Sequence, residues 1–240
     1  MTLFLTSSPF VDGADRAILS DANGFIDRIR EVLPPHPKAL FITSNPEDRD
    51  MTCRFAAETT AAFAEFGMAF QSYHILDGFN AEDAGGLIAD CDVIFLSGGH
   101  VPTQNAFFQE IGLGELLDDF PGVVVGISAG SMNCAEIVYA QPEEPGEAVS
   151  GSYRKFIPGL GLTKYNVLPH YQAVKDDLVD GKRLMEEITY PDSRGHVFYA
   201  IVDGSYLLQT ETGAEIRGES YRISEGEICQ ISSRGEVFRL

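Results

Sequence analysis

The sequence predicts an α/β fold: a mostly parallel sheet flanked by helices on both faces, with a small antiparallel section at the C-terminal end. Three observations carry this. Short apolar runs alternate with helical periodicity through the first half of the chain, the pattern of strand–helix–strand units joined by right-handed crossovers. The run Val123-Val124-Val125 shows no polar alternation, as suits a strand covered on both faces. From Val197 onward short strand patterns follow one another with no helix between them, which favours antiparallel pairing.

Taken in order, residues 2–7 form a short apolar first strand and 8–15 a loop. Residues 21–33 have helical spacing, with Phe25, Ile26, Ile29, Val32 and Leu33 on one face, and Pro34-Pro35 ends them. Residues 38–43 are a second buried strand. Residues 53–66 are an Ala-rich helix, with Gly67 where a C-cap glycine belongs. Residues 69–76 are a third strand, 81–88 a short helix, and 92–97 a fourth strand ending at Gly98-Gly99. Residues 103–117 are helical, broken near Gly112 and Gly114. The Val-rich strand follows, then a helical run over 132–138. Residues 141–152 are rich in Pro, Glu and Gly and read as a surface loop. Residues 176–188 read as another helix. Val197 to Val202 is a strand leading into Asp203-Gly204, a hairpin-turn pair. Short strands over 205–209, 215–217, 227–231 and 237–240 complete the chain. With no internal repeat and no linker, the 240 residues make one domain, 1–240.

Seventeen basic against 36 acidic residues give a formal net charge of −19. Phosphates require Lys and Arg, so nucleic acid is excluded as a partner, and an anionic membrane surface with it. The acidity disfavours self-association through charged faces but permits an apolar homodimer interface. Cys53, Cys91, Cys134 and Cys229 form no CxxC pair, so neither a zinc site nor a disulfide framework is expected, and no metal or cofactor is required. The N-terminus lacks a basic n-region, and no run approaches the roughly 18 apolar residues of a transmembrane helix. A cytoplasmic location is the expectation.

The chemistry centres on Gly126-Ile127-Ser128-Ala129-Gly130. Gly-x-Ser-x-Gly between a buried strand and a helix is a nucleophile elbow: the glycines allow a sharp turn that lifts the serine hydroxyl to the C-terminal edge of the sheet, above the next helix. The hydroxyl needs a base. Among five histidines, His170 ends the apolar stretch Asn166-Val167-Leu168-Pro169 and so reaches a sheet edge, where active sites of open α/β sheets form. The base needs an acid to orient it. Asp203 is the choice, with Glu136 and Asp192 behind it. The amides of Ala129 and Gly99 are the oxyanion donors. Gly98, His100, Tyr171 and Arg183 are the candidate substrate-binding residues.

Two other readings compete. An α/β-hydrolase esterase runs Ser, acid, His along the chain, which would recruit His196 with Asp176, Asp177 or Asp180. A non-catalytic binding relative would keep the elbow without turnover.

Ser97-Gly98-Gly99, Gly126-Ile127-Ser128-Ala129-Gly130-Ser131, Pro169-His170-Tyr171 and Ile201-Val202-Asp203-Gly204 occur in the order seen in the dipeptidase E and cyanophycinase family, which the chain resembles to about residue 210. The resemblance implies a serine peptidase on a class I glutamine-amidotransferase-like fold, acting on a small peptide with Ser128 as nucleophile, His170 as base and Asp203 as acid. Two departures stand out. The family's dipeptidases often place glutamate where Asp203 stands. Their arginine for an acidic substrate side chain aligns near Glu186 or Glu187, with Lys182 and Arg183 about a turn away. A carboxylate there repels an aspartyl substrate, so aspartyl specificity is not expected to carry over.

Overall fold

A computed structural model describes all 240 residues. Five strands, β1 (Thr2–Thr6), β2 (Lys38–Ile42), β3 (Ser72–Leu76), β4 (Val93–Leu96) and β5 (Val123–Ile127), lie parallel in the order β1-β5-β4-β2-β3. Tyr206–Thr210, Gly213–Arg217 and Val237–Arg239 extend the β1 edge by antiparallel pairing, making eight strands.

Alternate residues of the parallel strands feed opposite faces, as the two-residue period requires. Leu3, Leu5, Leu40, Ile42, Ile94, Leu96 and Val124 pack with the helices α3 (Ala84–Ala89), α4 (Val101–Glu110) and α5 (Leu113–Leu117). Phe4, Phe41, Phe95, Val123 and Val125 pack with α1 (Phe25–Val32) and α2 (Arg49–Glu65). Every residue of β4 and β5 is buried, which explains their unbroken apolar sequence. No helix is long and apolar enough to cross a membrane.

A second sheet runs Glu227–Ser232, Ser220–Ser224, Val197–Ile201, Asn166–Leu168. Its last two strands are parallel, with Ala200 opposite Leu168. Its inner residues Leu168, Phe198, Ala200 and Ile223 share a third core with Val101, Ala129 and Met132, beside the elbow.

Three sequence expectations are corrected. The helix after the elbow, α6, covers only Ala129–Met132. Backbone groups of residues 133–136 bond instead to the loop at 159–163, including Leu160 N–H to Asn133 O at 2.9 Å and Glu136 N–H to Thr163 O at 2.8 Å, and Ile137–Tyr139 then pairs as a strand with Phe156–Pro158. Residues 176–188 are not one helix. Asp180 and Gly181 both have positive φ (51° and 78°) and close a tight hairpin between Leu178–Val179 and Lys182–Arg183, after which Leu184–Thr189 forms a π-helix. Asp203-Gly204 is no hairpin: Val197–Ile201 belongs to the second sheet and Tyr206–Thr210 to the first, so this pair crosses from one to the other. Val197–Ile201 also gains a parallel partner, and Ser220–Ser224 is a strand the sequence pattern did not suggest.

Candidate active site

The elbow arises because β5 cannot continue. Ser128 adopts φ 52°, ψ −116°, a conformation that costs a non-glycine residue on the order of 1–3 kcal/mol and persists only where its surroundings enforce it. The Ser128 N–H donates to the carbonyls of Thr6 and Ser7 at 3.1 and 3.0 Å. The Ser131 hydroxyl donates to Thr6 O at 2.7 Å, and the Thr6 hydroxyl to Gly126 O at 2.8 Å. Strand β1 therefore latches both sides of the turn. Both motif glycines are sterically required. A Cβ on Gly126 would lie 2.7 Å from Ser131 Cα, and one on Gly130 would collide with the Leu96 carbonyl of β4. With α6 only four residues long, its N-terminus offers individual amides rather than a helix macrodipole.

His170 and Asp203 follow the C-terminal ends of the two parallel strands of the second sheet, which is why residues 33 apart meet. His170 sits in the left-handed region (φ 57°, ψ 27°), turning its ring back toward β5. Nε2 lies 2.9 Å from Ser128 Oγ and Nδ1 lies 2.7 Å from Asp203 Oδ1. With Nδ1 as donor to the carboxylate, Nε2 accepts from the serine.

Asp203 has further partners. The Ser7 hydroxyl donates to Oδ1 at 2.6 Å, and the Gln172 side-chain amide donates to Oδ2 at 2.6 Å. The Asp203 N–H donates back to Gln172 Oε1 at 3.1 Å. Burial pushes the Asp203 carboxyl up, but hydrogen bonds from His170, Ser7 and Gln172 outweigh it and hold the group below the usual carboxylate value. The fully buried Ser7 also accepts the His170 backbone N–H at 2.7 Å. Sequence reasoning missed both Ser7 and Gln172. The one available signal for Ser7 was a hydroxyl residue at the end of β1, the strand beside β5.

Gly98 brings backbone against Ser128, and Gly99 against Ser44. A Cβ on Gly98 would stand 3.3 Å from Ser128 Cβ, and one on Gly99 would collide with the Ser44 side chain. Two hollows meet at Gly99, Ser128 and His170. The larger, ≈ 640 Å3, extends along Phe10, Val11, Met51 and Phe55. The smaller, ≈ 110 Å3, carries the carboxylates of Glu143 and Asp177. Burial raises the Glu143 carboxyl above its usual value.

The other named residues lie outside both hollows. His100 bonds Thr103 Oγ1 at 2.7 Å through Nδ1 and Glu147 Oε1 at 2.8 Å through Nε2. Tyr171 packs on Tyr221. Arg183 is exposed and pairs with Glu187 at 3.5 Å. His196 stacks on Phe156, and Asp180 accepts the Gly146 and Ala148 N–H groups, so the set needed for the Ser, acid, His order is not assembled at Ser128. His100, Glu144 and Glu147 bring ligand atoms within 4.8 Å of one another, but both ring nitrogens of His100 are already engaged.

The comparisons agree with this architecture. The chain aligns over 96% of its length, and 98% of the other, with a crystal structure of a candidate peptidase E protein from Listeria monocytogenes EGD-e, at TM-score 0.60 and 16% identity. That likeness concerns the fold. A search of curated proteins returns no match. The model of peptidase family S51 matches residues 5–217. With nearly the whole chain so matched, the protein belongs to peptidase family S51 and is a serine peptidase.

Proposed function

We propose that the protein hydrolyses an amide bond of a short peptide through an acyl-enzyme on Ser128. The observation that carries this is the continuous hydrogen-bond chain Ser128–His170–Asp203 at 2.9 and 2.7 Å. Ser128 Oγ attacks the scissile carbonyl and its proton passes to His170 Nε2. The Gly99 and Ala129 amides take the oxyanion of the tetrahedral intermediate. Collapse expels the amine, which leaves with the proton from His170, and a water then hydrolyses the acyl-serine by the same route. Asp203 fixes the tautomer and stabilises the imidazolium without itself being protonated. The two hollows on either side of Ser128 give each flank of the bond a place. The carboxylates of the smaller one suit the free ammonium end of a short peptide.

The test is a dipeptide library screened with wild type and Ser128→Ala, alongside labelling by a fluorophosphonate. Hydrolysis and labelling are expected for the wild type and neither for the variant, with the fold retained. Turnover by Ser128→Ala at the wild-type rate would remove the serine from the mechanism.

A further inference from the structure

We infer that the larger hollow is a specificity pocket for a bulky apolar side chain, aliphatic or aromatic, on a residue flanking the scissile bond. This rests on the reading of Ser128 as nucleophile and adds the class of substrate.

The pocket opens directly onto Ser128 and His170, so whatever fills it is attached close to the bond being cut. Its walls bring Phe10, Val11, Met51, Phe55 and Ile127 together from the segment after β1, from α2 and from the end of β5. Val11 is exposed, and Phe10, Met51 and Phe55 are only half-buried, so this apolar surface faces solvent until something covers it. At ≈ 640 Å3 it falls within the range of about 300–1,000 Å3 typical of small-ligand sites.

Charge argues against an acidic side chain. The charged lining residues are Asp15, Arg16 and Glu58. Arg16 already pairs with Glu65, which leaves two carboxylates to meet an incoming one. An aspartyl group would lose hydration on entering and gain no uncommitted cation, whereas a leucyl or phenylalanyl group gains by leaving water.

Binding and turnover are measured separately, so that the pocket and the mechanism can fail independently. Ser128→Ala is titrated calorimetrically with Phe-Leu, Leu-Leu, Leu-Phe, Gly-Gly and Asp-Leu, and the wild type is assayed for hydrolysis of the same set. The apolar peptides are expected to bind at least about tenfold more tightly than Asp-Leu and Gly-Gly, the scale set by burying one large side chain. Adding Phe55→Ala to Ser128→Ala should erase about tenfold of that preference, with Gly-Gly as the control for general damage. Equal binding of apolar and acidic peptides overturns the inference. So does a preference for Asp-Leu that Arg16→Ala abolishes, which would assign the pocket to an acidic group held by Arg16. Apolar-selective binding without wild-type turnover would sustain the pocket and sink the mechanism instead.

Discussion

Ser7→Ala tests the site at a residue that no motif marks. The Ser7 hydroxyl donates to the Asp203 carboxylate at 2.6 Å and accepts the His170 backbone N–H at 2.7 Å. A hydrogen bond to a charged group is worth about 1.5–3 kcal/mol, and a buried N–H left without a partner costs about 1–3 kcal/mol. Not all of this reaches the rate, because Gln172 and His170 still hold the carboxylate. We expect kcat to fall by about 10–100-fold, which corresponds to about 1.4–2.7 kcal/mol of barrier. Ser7 lines neither hollow, so KM should stay within about twofold of wild type. The Asp203 pKa should move upward, since one of the donors that lowers it is gone. Steady-state kinetics across pH, with urea unfolding of both proteins, separate this from simple destabilisation. A variant with wild-type kcat, or one whose loss lies wholly in KM, would show that Ser7 does not position the base and acid.

Four further outcomes are expected. Asp203→Asn should lower kcat by about 10,000-fold while Ser128 and His170 stay in place, because the amide cannot select the required tautomer; peptide hydrolysis measures it. The same substitution should flatten the acid limb of stability against pH. Since the folded pKa of Asp203 is depressed, the stability it contributes is complete above its ordinary value of 3.8 and disappears as pH falls through the lower folded value; urea midpoints between about pH 2 and 6 would read this. Gly130→Ala should destabilise by about 1–3 kcal/mol or more, as its methyl meets the Leu96 carbonyl; an unchanged urea midpoint would contradict the close approach of α6 to β4. In native protein, exposed Cys53 and Cys229 should react readily with a thiol reagent, while buried Cys134, its thiol pushed up to about 12 by desolvation, should react only on unfolding.

The parts of the molecule that read clearly from sequence are those with a local cause. Val123 to Val125 announce a strand covered on both faces because burial on both sides removes polar alternation. The Gly-x-Ser-x-Gly turn is legible because each glycine answers a specific backbone collision. What did not read has a non-local cause. Asp180-Gly181 and Asp203-Gly204 present the same dipeptide after an apolar stretch, yet the first closes a hairpin and the second links two sheets. Turn chemistry permits both, and the choice is made by where the following strand finds its partner. The spacing of Leu184, Met185 and Ile188 is helical, but residues 178–183 that precede it are taken by the hairpin. Ser7 and Gln172 escaped because a lone hydroxyl or amide carries no pattern until Asp203 arrives from about 200 and 30 residues away, respectively.

Ser128 is anchored in one layer of the protein and the imidazole it bonds in another. Ser128 follows a strand of the eight-stranded sheet, whereas His170 and Asp203 follow strands of the four-stranded one. Ser7, at the tip of β1, acts as a dowel through both. Under the mechanism proposed above, reactivity is a gauge of alignment between two slabs that could each stay intact while sliding apart. A shift of roughly an ångström at that seam, too small to disturb either slab's interior, would be enough to switch the serine off.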